Sequence, residues 1–261
     1  MIYLLSGNHG WEVALLAVPQ TRSIDLTADE RASDSPYIER VWRSTSDGSR
    51  TAFTSIAETH WSLVVTKIQG QTILTVKGPE TRPSPAFGPS EAEHFGIMFK
   101  HGTLMPLFPA GMVMDRHDIN LPDASGQSFW LNGSAWEYPT FENAETFVQR
   151  LVRDGLLLHD PVVSAMLEGE PVNTSLRTVQ RRFLRATGLT HNTVSQIKRA
   201  RYATTLLKSG MSILDVVDEA GYADQPHLTR SLKQYIGKTP VQIIAEDERE
   251  PLSFLFKTYP F

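Results

Sequence analysis

Two short stretches hold most of the side chains that could do chemistry on a polyanionic partner. The first reads SLRTVQRRFLRATG (175–188) and the second ADQPHLTRSLKQYIG (223–237). Helical spacing puts Arg177, Gln180, Arg181 and Arg185 mostly opposite an apolar stripe of Leu176, Val179, Phe183 and Leu184. In the second stretch Gln225, His227, Thr229, Arg230 and Lys233 stand away from Leu228, Leu232 and Ile236. Arg and Gln can make paired hydrogen bonds to guanine and adenine edges in the major groove, while Lys and Thr can serve phosphate oxygens. One chemistry such side chains suit is recognition of double-stranded DNA. The plain alternative is two solvated helix faces, since any amphipathic helix turns Arg and Gln outward. On that reading Gly188 and Gly237 are ordinary C-cap glycines. Arg182 is expected to pair with an acidic neighbour.

Such side chains need short, well-started helices to carry them. Ser175 is a natural N-cap for the first, and Asp224 or Gln225 opens the second with Pro226 in its first turn. Ile213, Val216, Val217 and Ala220 predict a short supporting helix that turns at Gly221. A longer basic helix over 193–207 joins the two units. Asp160-Pro161 marks another helix start, ahead of VVSAML, and a helix over 141–157 capped by Thr140 precedes it.

These residues resemble the DNA-binding domain of the AraC/XylS family of bacterial transcription regulators. The second unit carries the likeness in Val216, Val217, Gly221, Tyr222, Asp224 and Gln225. It continues through Leu228, Arg230, Leu232 and Lys233 to Gly237 and Pro240. The first unit carries it in Ser175, Arg177, Val179, Arg181 and Phe183, and the joining helix in Arg199, Ala203, Leu206 and Leu207. The resemblance implies two helix-turn-helix units reading successive major grooves. Base edges would fall to Arg177, Gln180 and Arg181, and to Gln225 and Arg230; Pro226 stands where relatives can carry a contacting polar side chain. One departure is plain: GEPVNTS (169–175) has Pro171 where the family places a supporting helix. The first unit is then either supported by 162–167 across a longer turn or degenerate.

The front of the chain reads differently. Segments such as YIERVWRS, AFTSI, HWSLVVTKI and QTILTVKG alternate with Asp-Gly and Gln-Gly turns, which predicts short strands closed on themselves or sandwiched. Weak strands are expected near 1–5 and 11–17, and loops over 21–35 and the proline-rich 77–91. HFGIMFKHG and its sequel loosely resemble a strand and turn of a cupin-like domain. The expected fold is thus a two-domain α+β chain, an N-terminal cupin-like barrel followed by an all-α domain with two helix-turn-helix units. Its divisions are a sensing or dimerising domain over 1–138, a helical linker over 139–160, the DNA-binding domain over 161–244 and a tail over 245–261. The resemblance implies a small organic effector for the barrel, with Trp42, Trp61, Phe95 and Phe99 as pocket candidates, or a homodimer interface. Core filling is the plainer role for those aromatics.

Charge and composition narrow the classes. The net charge of −4 hides an asymmetry: 161–244 carries +5, 1–160 carries −7 and 245–261 carries −2. Without cysteine there is no disulfide framework, thiolate catalysis or cysteine-based metal site, which fits a reducing, cytoplasmic setting. No signal peptide is expected from the first residues, and no apolar run reaches membrane-spanning length. His60, His94, His101 and His117, with Glu58, Glu93 and Asp115, lack the tight spacing of a cupin metal site, so no metal is expected. No phosphate loop, nucleophile elbow or zinc-protease motif occurs, so neither a cofactor nor a catalytic residue is assigned. The rival reading is an enzyme built on the barrel with a helical appendage.

Overall fold

The computed structural model describes residues 28–46, 52–87, 91–115, 119–167 and 169–245. The strands expected near 1–5 and 11–17, His117 and the tail from 246 onward lie outside these residues. In chain order the front half runs β1 (Ala28–Ala32), β2 (Ile38–Ser46), β3 (Ala52–Ser55), β4 (Ser62–Ile68), β5 (Gln71–Lys77), β6 (Ser84–Phe87) and β7 (Ala92–Phe99). There follow β8 (Thr103–Leu104), α1 (Ala110–Val113), β9 (Ile119–Asn120), the hairpin β10 (Ser128–Leu131) and β11 (Ser134–Glu137), α2 (Ala144–Arg153) and β12 (Leu158–His159). The helical half is α3 (Pro161–Leu167), α4 (Leu176–Thr187), α5 (His191–Lys208), α6 (Ile213–Glu219), α7 (Gln225–Tyr235) and α8 (Pro240–Ile244).

Six strands form one antiparallel sheet in the order β1-β2-β7-β4-β5-β9. Its edges, β1 and β9, do not pair with each other, and the remaining strands form separate two-stranded ladders β10-β11, β12-β8 and β3-β6. Among the described residues the sheet is therefore open, and the expected cupin-like barrel is corrected to a sheet with one face capped by other elements. Closure needs a long edge to zip onto its opposite. Here β9 contributes only two paired residues. The apolar face is buried instead by α2 and the β10-β11 hairpin: Leu63, Leu74, Ile97 and Phe99 share a core with Phe129, Trp136, Val148 and Leu151. Each such side chain contributes about 1.5–3 kcal/mol by leaving water.

On the opposite face Trp42 packs with Val64 and Met98. Its indole lies across the central strand at Gly96, where any Cβ would sit 2.2 Å from the Trp42 ring. The glycine of the HFGIMF strand is thus required by the ring above it.

Three local expectations also change. The polar 21–35 stretch contains β1, an edge strand tied down by Arg31, which pairs with Glu145 of α2 (2.8 Å) and donates to Phe141 O. The proline-rich 77–91 contains β6, whose Pro85 sits in a two-stranded ladder, where a missing donor is tolerated. Thr140 does not cap α2. The N-cap position is Asn143, whose Oδ1 accepts the N–H of Thr140.

The helical half assembles around α5. Ile197, Ala200, Ala203 and Leu207 of α5 share a core with Val216, Leu228, Leu232, Ile236 and Ile243. A second cluster joins Val163 of α3, Phe183 and Ala186 of α4, Leu189 and Val194. Leu104 and Met114 pack against it from the front half. Leu176 and Leu184, expected in the buried stripe of α4, are 68% and 50% exposed. Ala186 and Thr187 are buried with Val179 and Phe183 in their stead, because α4 turns its packed side toward α3 and β8.

Candidate nucleic-acid interface

The two candidate recognition helices begin as their sequences dictate. Ser175 Oγ accepts the Thr178 N–H, Asp224 Oδ1 accepts that of His227 (2.6 Å), and Ser212 and Thr190 cap α6 and α5. The left-handed Gly188 (φ 73°) ends α4. The supporting element of the first unit is α3, which starts at Pro161. Asp160 Oδ1 accepts the N–H of Val162 there, and the same carboxylate is gripped by Arg182 at 2.8–3.0 Å. Asp160 thus starts one helix and anchors the next.

Arg177, Gln180, Arg181 and Arg185 are exposed on α4, opposite Val179 and Phe183. Arg177, Gln180 and Arg181 stand three and four residues apart, so they form one continuous stripe, and exposed Leu184 extends it by a turn. On α7, Gln225, Arg230 and Lys233 are exposed while His227 and Thr229 are half-buried. The His227 ring stands edge-on to Tyr222 at 5.2 Å. Arg185 also borders a cavity of about 160 Å³ lined by Trp61, Met105, Phe108 and Val113.

Two further cations of this half are engaged internally. Arg199 donates to Gly221 O (3.1 Å), stacks 4.5 Å over the Tyr222 ring and bonds Gln196. Arg201 is buried; its Nη1 donates to Ala57 O (2.9 Å) and lies 3.3 Å from Glu58 Oε2. The sequence predicts that Arg182 pairs with an acidic neighbour, and that Arg199 reaches phosphate at most or braces the domain internally. The Arg201 contact joins residues 144 apart in sequence, and no local pattern announces it.

The front-domain candidates are dispersed. Trp61 stacks on Phe99 at 4.1 Å inside the core and donates its indole N–H to Thr103 O (2.7 Å). Phe95 packs half-buried against the same core, and Trp42 lies on the other sheet face. Of the histidines weighed as metal ligands, His60 and His101 meet with ring centroids 3.9 Å apart beside Glu58. Burial first, then His60 and Lys198, hold His101 well below its ordinary pKa. No group of three or more such side chains among the described residues could hold a metal ion.

Residues 170–245 match the family described as "Helix-turn-helix domain". A stretch of the chain is also similar to part of a regulator. The relative is the HTH-type transcriptional regulator RipA of Corynebacterium glutamicum, 33% identical over 87 residues. That overlap takes in 33% of this chain and 26% of the relative, so the chain spans about a quarter of the relative's length. No solved structure is significantly similar. These findings correct the AraC/XylS assignment. What matches is the broader helix-turn-helix domain, over 170–245, and many of the motif positions that suggested the narrower family, such as Ser175, Val179, Phe183, Asp224, Leu228 and Leu232, are helix caps or inward apolar residues. The similarity is thus to a helix-turn-helix domain and to part of a regulatory protein. Among the described residues no helix is long and apolar enough to cross a membrane.

Proposed function

We propose that this chain is a sequence-specific, DNA-binding transcription regulator that reads duplex DNA with α4 and α7. The observation that carries this is the contrast among its arginines. Arg177, Arg181 and Arg230 are exposed on two capped helices of a helix-turn-helix match, whereas Arg182, Arg199 and Arg201 are turned inward onto the protein. Base edges fall to Arg177, Gln180, Arg181, Gln225 and Arg230, and phosphates to Arg185, His227, Thr229 and Lys233. The reading domain is 161–244, with +5 of charge against the acidic front. For the front domain, assembly of copies of the chain is favoured over effector sensing, because its aromatics fill a core rather than line one chamber.

The test is a titration of the full chain against duplex DNA from a selected pool at several salt concentrations. Affinity should fall linearly on a log–log plot, with slope about −0.9 per phosphate neutralised. A chain that is folded yet shows no duplex affinity at low salt ends this reading. Sedimentation of the free chain decides assembly: a strict monomer at working concentration removes that role.

A further inference from the structure

The loop between β3 and β4 does something unusual for a front-domain loop: it completes the core of the second reader unit. Ile56 and Ala57 are buried in the same cluster as Ile197, Leu228, Leu232 and Ile236. Ala57 donates its N–H to Tyr235 O, the last residue of α7, at 2.9 Å. Its carbonyl receives Arg201 Nη1 from α5, so one residue is bonded to the spacer helix and the reader helix together. Glu58 fixes that loop from below. Oε1 accepts the N–H groups of Thr59 (2.7 Å) and His60 (3.1 Å) and meets His60 Nδ1 at 2.8 Å, while Oε2 faces Arg201. Its backbone pairs in both directions with Glu80, tying the loop to the strand system.

The first reader is referenced to the same body. Gly188 at the end of α4 lies against Ala110 of α1, close enough that a Cβ would sit 2.9 Å from the Ala110 side chain. Asp160, next to β12, holds Arg182 of α4. Directly between the readers, α4 meets α5 through the short turn after Gly188 and the Val194 contact. The front half therefore touches both helices, α4 at Arg182 and Gly188 and α7 at Tyr235.

We propose that Glu58 is a positioning residue for DNA reading: through Arg201 and the Ala57 backbone it fixes α7 relative to α4, so the front domain sets the half-site spacing the protein accepts. This rests on the proposed function. Burial alone would raise the Glu58 pKa, but Arg201 and His60 outweigh it and hold the carboxyl well below the usual range. The Glu58 carboxyl is thus ionised across neutral pH. A carboxylate that only stabilised the fold would change melting temperature and leave spacing preference untouched.

The experiment is selection of binding sites from a random duplex library by the full-length wild type and by Glu58→Gln, with melting curves for each. The wild type should enrich two short motifs at a single centre-to-centre spacing, near one helical turn of about 10–10.5 base pairs. Inserting two base pairs between them should weaken wild-type binding about tenfold, the scale of one lost base contact. Glu58→Gln should enrich the same two motifs over several spacings and lose under about threefold on that insertion. Arg201→Lys keeps the cation yet cannot serve Ala57 O and Glu58 together. It should broaden the spacing likewise, and it stands in if Glu58→Gln does not fold. A folded variant of either kind that keeps the single spacing overturns the positioning role and leaves the reading of DNA intact. A wild type that selects no duplex overturns both.

Discussion

The two reader units have the same outline and different foundations. The second is nearly self-sufficient: α5, α6, α7 and α8 supply its core, and the front domain adds only Ile56 and Ala57. The first is small and depends on its neighbours. Its core is five buried residues, with Leu104 and Met114 packed on from the front half, and its supporting helix begins at the end of β12. Pro171 lies in the connection between α3 and α4, so the usual tight helix pair is replaced by a longer route. The first candidate recognition helix thus rests on a base supplied partly by the front half of the chain.

The comparison is most sharply broken through the cores. Phe183→Ala should cost about 3–5 kcal/mol and Leu232→Ala about 2–5 kcal/mol, read as denaturant midpoints. The informative variant is Leu104→Ala in the front half. By amide hydrogen exchange it should deprotect α4 while leaving α7 unchanged; equal deprotection of both would erase the asymmetry. Next come the arginines. Arg230→Ala should lose about 1–3 kcal/mol at one base-pair position and relax preference there. Arg199→Ala, which breaks the bond to Gly221 and the Tyr222 stack, should lower the melting temperature and weaken every sequence alike. Matched single-base operator variants titrated against both proteins decide it, and identical profiles would remove the base-reading role of Arg230.

Smaller effects are expected at the caps. Asp224→Ala and Ser175→Ala should each cost about 0.5–2 kcal/mol, with the Ser175 change felt more in binding because α4 has less beneath it. The gentlest lever is pH. Half-buried His101 faces His60, Lys198, Glu58 and Thr59, and its pKa is depressed below the ordinary 6.5. The unfolded chain then takes up a proton that the folded chain refuses. Stability is full above about 6.5 and declines on acidification; depression of the Glu58 pKa adds a further loss in more acid solution. Melting curves from pH 8 to 5 should show the fall, and His101→Gln should flatten its upper part.

Where local chemistry decides, the sequence was legible. Ser175, Asp224, Gly188 and the inward Leu228, Leu232 and Ile236 lie within a few residues of what they cap or pack against, and each does so. Leu176 and Leu184 misled because helical periodicity knows apolarity but not which neighbours arrive. The open sheet was illegible for a related reason: alternating strands fix which face is apolar, whereas closure depends on the lengths and partners of the edges. β1 and β6 were missed because their pairing partners, not their composition, make them strands. The Glu58, Ala57 and Arg201 contact was beyond reach altogether, since long-range ion pairs leave no periodic trace.

That contact also has a timetable. Ile56 and Ala57 are synthesised roughly 140 residues before the helices that bury them, so on a growing chain they wait in water while the front sheet forms. The second unit cannot finish its core until α5 and α7 emerge and close on this waiting loop, a distant encounter that topology makes slow. The part of the molecule that most resembles an independent module is thus the part whose completion is delayed longest. A chain interrupted before residue 201 would leave the apolar pair without cover.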